Sequence, residues 1–206
     1  MIGEFFSAGD DCTIQPGTTL GLRYRASCEP AVFGRNCTIR AGTIVYADVR
    51  AGDFLQTGHN ALIREHTAIG DHVVIGTGTI IDGNVKIGSF VKIESNCYIP
   101  THTRIGHRVF IGPGTVLTND RYPLKMRADY RPEGPVLEDG VTLGGGVVLL
   151  PGIVIGAHSF VAAGAVVTKD VPAGSFAKGV PAAIEPLPAK LRETNMALSW
   201  RRYLEC

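Results

Sequence analysis

From Phe33 to Val116 the chain repeats every six residues without insertion or deletion. The first position of the hexad runs Phe33, Ile39, Val45, Ala51, Thr57 and then nine isoleucines in succession, Ile63 to Ile111. Four residues after each anchor stands a small or β-branched residue, such as Cys37, Thr67, Val73, Val85, Cys97 or Thr115, with Leu55 the exception. Such a period fits neither a lone amphipathic helix, at roughly 3.6, nor the irregular spacing of a hairpin protein. It is the repeat of a parallel β-helix, whose short units bury an apolar side only when neighbours stack on them. Strand side chains alternate, so the residues at i and i+4 both point inward.

The ladder has a beginning, one interruption and an end. Ile14 to Leu20 is an early fragment, and the non-repeating stretch from Gly21 to Val32 reads as an imperfect first coil capping the open end. After Leu117 the anchors stop, and residues 118–136 form an excursion rich in proline and basic residues; its centre, 123–136, has no hexad. Insertions in a strict repeat map to loops, and loops carry function more often than scaffold does. Hexads resume at Leu137 and end near Val167 to Pro172. Residues 1–184 are therefore expected to be one β-helical domain. Residues 185–206 are expected to be a C-terminal α-helical extension over Ala189 to Leu204, with Trp200 and Tyr203 as contacts.

Composition narrows the partners. A chain of 206 residues with net charge +1 is long enough for one buried domain and has no basic excess for nucleic acid or an anionic membrane. Met1 to Asp10 contains Glu4 and no sustained apolar run, so no signal peptide is expected, and no stretch approaches the roughly 18 apolar residues of a membrane span. Five cysteines without a CxxC fit a reducing, cytoplasmic home; Cys37 and Cys97 fall on inward positions as core filler, and Cys12, Cys28 and Cys206 have no assigned place.

The pattern anchor-Gly-x-x-small-x resembles the left-handed parallel β-helix of the hexapeptide-repeat acyltransferases over nearly the whole chain. The left hand comes from that resemblance, since the general rule for parallel crossovers gives the opposite one. Three hexads make one triangular coil in that family, so residues eighteen apart become vertical neighbours about 4.8 Å apart. Val161 to Pro172 followed by Gly179-Val-Pro-Ala182 resembles the family's coenzyme A site. The resemblance implies acetyl-CoA as co-substrate, with Gly144 and Gly145 near the thioester, Ala163 and Gly164 along the arm, Lys169 and Lys178 near the nucleotide, and Pro181 in the closing motif. It also implies a homotrimer with sites between subunits. Val116 to Pro123 and Gly134 to Gly140 are similar to the branch that N-acetylates amino sugars on nucleotide carriers, including the 3-amino-3-deoxy uronic acid type. Where the galactoside and xenobiotic branch carries a catalytic histidine, this chain has Asn119 and Asp120.

Acetyl transfer to an amine needs a neutral nitrogen, a positioned thioester and donors for the developing oxyanion. An alkylammonium must first lose a proton. His59 and His107 occupy the i+2 phase used by the base histidine of several nucleotide-sugar relatives; His66, His72, His102 and His158 occupy i+3. Stacking by eighteens puts Asn119 over Thr101, beside His102, and more distantly over Glu65 and His66. Asn119 is thus a candidate to orient the amine, Asp120, His102 or His59 to accept its proton, and Thr101, Arg121, Tyr122 and Arg127 to bind the acceptor, with Lys125 and Arg131 as further cations for a diphosphate. Solvent or the departing thiolate is the alternative proton acceptor.

Two other functions compete. His66, His102 and His107 reproduce the histidine spacing of the γ-class carbonic anhydrases, zinc enzymes on the same solenoid, but displaced by one position of phase; no metal is expected on the preferred reading. The other is a non-catalytic solenoid that binds a partner along its flat faces.

Overall fold

The computed structural model describes residues 5–193 and residue 195. Most strands are two residues long: Leu62–Ile63, Ala68–Ile69 and Val74–Ile75 make one turn of the coil. Each pairs in parallel with the strand one coil on, Leu62 with Ile80, Ala68 with Lys86 and Val74 with Lys92. A two-residue strand has no independent stability; stacking supplies it. Among the described residues face I has eight strands, from Phe6–Ala8 to Val154–Ile155, face II ten, from Thr13–Ile14 to Ala183–Pro186, and face III eight, from Thr19–Leu22 to Val166–Val167. The fold is a left-handed parallel β-helix, as the repeat and its resemblance imply.

The anchors fill the interior. Ile63, Ile75, Ile81, Ile93, Ile99 and Ile111 have no exposed surface, and Val73, Val85, Val91 and Val109 of the second row are equally buried. Each such isoleucine contributes about 1.5–3 kcal/mol by leaving water, before the chain entropy that opposes it. Threonine is tolerated in the second row because its hydroxyl finds a turn carbonyl: Thr67 donates to Arg64 O at 2.7 Å, Thr103 to Pro100 O at 2.7 Å and Thr115 to Gly112 O at 2.8 Å.

Three segments differ from expectation. The first coil is complete, with strands Phe6–Ala8, Thr13–Ile14 and Thr19–Leu22, and its partners lie 25 residues on (Thr13 with Thr38) because a surface loop intervenes before Ala31. Beyond Val167 the glycine- and proline-rich segment folds into an antiparallel hairpin, Ser175–Lys178 with Ala183–Pro186, laid on face II. The expected C-terminal α-helix is, in its described part, a single 3-10 turn, Ala189–Leu191, between Pro188 and an Arg192 N–H bonded to Ala189 O. Proline at 188 presets the entry, and three residues make only one turn. Trp200 and Tyr203 lie outside the described residues.

Candidate functional site

Function on such a prism is decided at its three corners, where side chains leave the repeating strands. At the I–II corner, side chains cap backbone amides of the coil before. Asp53 Oδ1 accepts the Arg35 N–H at 2.8 Å, Asp71 Oδ1 that of Asp53 at 2.8 Å, Ser89 Oγ that of Asp71 at 3.1 Å, His107 Nδ1 that of Ser89 at 3.0 Å and Asp139 Oδ1 that of His107 at 2.7 Å. These caps crowd the glycines beside them: a Cβ at Gly52 would lie 2.1 Å from Asp71 Oδ1. His107 is a member of this ladder, its Nδ1 used as an acceptor. The bonds to the Arg35 amide and guanidinium hold the Asp53 carboxyl below its usual range, against a smaller effect of burial.

The II–III corner changes character along its length. Its left-handed position is held in turn by Gly17, Gly42, Asn60, Gly78 and Asn96 (φ 80, 76, 55, 67 and 58) lower down, then by Gly114, Gly146 and Gly164 (φ 67, 67 and 70) without a break in the last coils. Asparagine satisfies the conformation in this column, so φ alone does not demand glycine there. Crowding does not demand it either: a Cβ at Gly114, Gly146 or Gly164 would meet no described residue within 4 Å, as at Gly17 in the first coil, whereas one at Gly42 or Gly78 would meet the Asn60 or Asn96 side chain at 1.9 and 2.5 Å. What remains is a bare strip, flanked by Pro113, Gly145 and Ala163, along which a long ligand can lie against the backbone. The hairpin turn closes its upper end: Val166 N–H donates to Gly179 O at 3.0 Å and Ala182 N–H to Val166 O at 2.8 Å. Lys178 reaches Glu185 Oε2 at 2.9 Å beside this end, and the Val180–Pro181 bond is cis.

The III–I corner is the polar one. Asn119 Nδ2 donates to Thr101 Oγ1 at 2.8 Å, which leaves Asn119 Oδ1 to accept from a ligand. The inserted loop starts here and closes on itself, Glu133 N–H donating to Asn119 O at 3.0 Å, while Gly134 returns so close that a Cβ would lie 2.3 Å from Thr103 N. Asp120 holds the loop in shape with one oxygen on the Tyr122 N–H at 3.0 Å and the other on Arg127 at 3.3 Å. Asp120, Arg121, Tyr122, Lys125, Tyr130 and Arg131 line a cavity of about 280 Å³, and Arg127 lies 4.5 Å over the Tyr130 ring. Below it runs a hydrogen-bonded network. Arg64 bridges Glu65 at 2.9 Å and Asp82 at 2.8 Å, and Tyr98 donates to Asp82 at 2.9 Å. Lower still, Tyr24 from the first loop donates to Asp48 Oδ2 at 2.5 Å and meets His66 Nε2 at 2.9 Å. Burial and the bond to the adjacent carboxylate push Tyr24 and Tyr98 each up to about 12. Burial opposes ionisation of Asp48, yet the bonds from Tyr24 and the Glu29 N–H hold its carboxyl below the usual range.

The candidates therefore divide between two corners. Gly144, Gly145, Ala163, Gly164, Lys178 and Pro181 share the II–III corner and its hairpin cover, whereas Lys169 lies past face III at the next corner. Thr101, His102, Asn119, Asp120, Arg121, Tyr122 and Arg127 share the III–I corner, with the Arg121 guanidinium donating to Pro151 O at 3.1 Å. His59 stands apart, on the II–III corner several coils below Gly145, its N–H on Thr77 Oγ1 at 3.2 Å. The γ-carbonic-anhydrase-like trio is split, His66 and His102 on one corner and His107 on another, and among the described residues no three His, Cys, Asp or Glu side chains are grouped to hold a metal ion. Two features went unread in the sequence. Gly114 and Gly146 belong with Gly164, but the insertion makes coil partners 32 apart there (Val116 with Val148) instead of 18. Tyr24 sits in a stretch with no period, so only the fold reveals its partners.

Known proteins agree with this architecture. The bacterial transferase hexapeptide description (six repeats) matches residues 84–119 and 134–169, on either side of the inserted loop. A 2,3,4,5-tetrahydropyridine-2,6-dicarboxylate N-acetyltransferase of Staphylococcus aureus (strain JH9) is 40% identical over 60 residues, 29% of this chain and 25% of its own length. This chain thus matches about a quarter of the length of that curated relative. The solved UDP-N-acetylglucosamine acyltransferase of Francisella novicida superposes with a TM-score of 0.63 at 22% identity, covering 98% of this chain and 73% of that one. A hexapeptide-repeat acetyltransferase of Vibrio cholerae, solved with acetyl coenzyme A, is 30% identical, covering 55% of this chain and 70% of that one, with a TM-score of 0.46. The fold and its corners define a hexapeptide-repeat β-helix. Residues 84–119 and 134–169 carry the bacterial transferase hexapeptide repeat.

Proposed function

We propose that this protein is an acetyl-CoA-dependent N-acetyltransferase acting on an amino sugar carried by a nucleotide, the 3-amino-3-deoxy uronic acid type among them, and working as a cytoplasmic homotrimer. The observation that carries the reading is the bare strip at Gly114, Gly146 and Gly164, whose missing side chains neither conformation nor crowding explains. The N–H groups of Gly114, Gly146 and Gly164 are bonded to Ser95, Pro113 and Gly145 O of the coil below, and the surface free of side chains that they leave suits the pantetheine arm, with Lys178 at the covered end for its phosphates.

Face III gives the trimer its support. Ile44, Leu62, Ile80, Tyr98, Val116, Val148 and Val166 form its outward row, with Ile44 and Val116 exposed. Such an apolar face marks an interface. It separates the II–III corner from the III–I corner, so closing a ring across it brings the strip of one subunit beside the Asn119 corner of the next. Neither half-site is complete in one chain.

Each residue then has a task. Acetyl-CoA supplies the activated acetyl group. Asn119, oriented by Thr101, accepts an N–H of the attacking amine through Oδ1 and aligns its lone pair on the thioester carbon. Asp120 is occupied by Tyr122 and Arg127, which makes it a loop holder; the proton leaves to His102 or to the departing thiolate. Arg121, Lys125 and Arg131 supply cations for a diphosphate, and Tyr122 and Tyr130 supply ring faces for a base. The test is to supply acetyl-CoA with a panel of nucleotide-linked amino sugars and follow free thiol. Acceptor-dependent thiol release is expected; binding of acetyl-CoA with no release for any amine would remove the reading.

A further inference from the structure

Two cysteines that the proposed chemistry does not use are stacked at the N-terminal end of the coil. Thr13 and Thr38 are paired across the first and second coils, so Cys12 and Cys37, which precede them, are vertical neighbours in one inward column. Both sulfurs converge on one carbonyl oxygen: Cys12 Sγ lies 3.4 Å and Cys37 Sγ 3.5 Å from Gly34 O. Cys12 Sγ also accepts the Cys37 N–H at 3.3 Å. Neighbours in a parallel ladder stand about 4.8 Å apart, inside the Cα separation of about 4.4–6.8 Å that a disulfide spans. The other described cysteines are elsewhere, Cys28 in the loop bonded to Arg25 O and Cys97 on the II–III corner.

The two thiols are also unequal in the way a stepwise exchange needs. Cys12 is half-buried, whereas Cys37 has 1% exposure, and burial pushes its thiol up to about 11. The accessible sulfur is therefore the one a small reagent meets, and the enclosed one waits as a protonated thiol directly behind it.

We propose that Cys12 and Cys37 are a modification site, closing to a disulfide between the first and second coils when a low-molecular-weight disulfide such as oxidised glutathione is present. Cys12 thiolate attacks one sulfur of the reagent, forms a mixed disulfide and releases one glutathione thiolate. Cys37 gives its proton to water, attacks the Cys12 sulfur and releases the second. The protein loses two hydrogens and the reagent becomes two thiols. Among the described residues the first coil has a neighbour on one side only, so the new bond pins the element most able to fray.

The test treats the folded full-length protein with oxidised glutathione and maps it by peptide mass spectrometry, with a melting curve on the same sample. The expected product is intramolecular, two hydrogens lighter, with Cys12 linked to Cys37 and a melting temperature raised by roughly 5 °C. Cys12→Ser should give neither the link nor the rise. Cys37→Val, which places in this column the residue used at Val73, Val91 and Val109, should stop at a glutathione adduct on Cys12. A wild-type protein that stays glutathionylated at Cys12, links Cys12 to Cys28 or Cys206, or remains unmodified under conditions that oxidise a small dithiol would overturn the proposal.

Discussion

Glycine stands at two positions of the turn, one residue after the anchor in the I–II row and three after it in the upper II–III row, and the two rows serve opposite ends. At the I–II corner Gly34, Gly52, Gly70, Gly88 and Gly106 are small because the next coil presses on them. At the II–III corner Gly114, Gly146 and Gly164 are small where no described residue presses. A glycine therefore signals a site only when the fold gives it no other reason. Phase separates the two rows, Gly52 one residue after Ala51 and Gly114 three after Ile111. But phase does not say which glycines are open, because Gly42 and Gly78 share the second phase and are crowded by Asn60 and Asn96.

The largest contrast should come from the third corner. Asn119→Ala removes the oriented amide and should lower turnover about 100-fold while leaving the melting temperature within a degree or two; near-normal turnover would move the amine site elsewhere. Gly52→Ala tests the crowded corner. Its Cβ must displace Asp71 from an amide it caps, so urea unfolding should show a loss of about 1–3 kcal/mol, with the affinity of the folded protein for acetyl-CoA unchanged.

Alkaline pH addresses the III–I network that neither glycine column touches. Tyr24 and Tyr98 titrate near 12 in the folded protein against about 10 unfolded, so the folded state holds their protons more tightly. Their contribution is complete below pH 10 and is lost as pH rises toward 12. Urea midpoints at pH 9 and pH 11 should fall for the wild type and fall less for Tyr98→Phe. The smallest effect is expected at His107. Replacing it with Asn keeps an acceptor for the Ser89 N–H, so stability should change by less than about 1 kcal/mol and turnover not at all. A collapse of turnover would instead return His107 to the catalytic candidates.

Legibility followed locality. The unbroken row from Ile63 to Ile111 carried the coil, its inward positions and the stacking of Asn119 on Thr101, because each depends only on counting by six and eighteen. Counting failed where the count is broken. The seven residues added before Ala31 hid both the completeness of the first coil and the grip of Tyr24 on Asp48. The inserted loop hid the link from Gly146 down to Gly114. The Ser175–Pro186 hairpin escaped because it is antiparallel and lies outside the hexads, held by pairing with face II that composition does not announce. The partners of Asp120 were equally hidden: its carboxylate accepts from Arg127 and the Tyr122 amide, both within the loop that has no hexad.

The claim that the open glycines are the coenzyme strip is tested most directly by calorimetric titration of acetyl-CoA into wild type and Gly146→Asn. Asparagine already occupies this turn position at Asn60 and Asn96, so the substitution adds a side chain without asking for a new backbone conformation. The wild type should bind with a Kd between about 1 μM and 1 mM, and the variant should melt at the same temperature and bind at least 10-fold more weakly. Equal binding by the two proteins, or no binding by the wild type at millimolar acetyl-CoA, would contradict it.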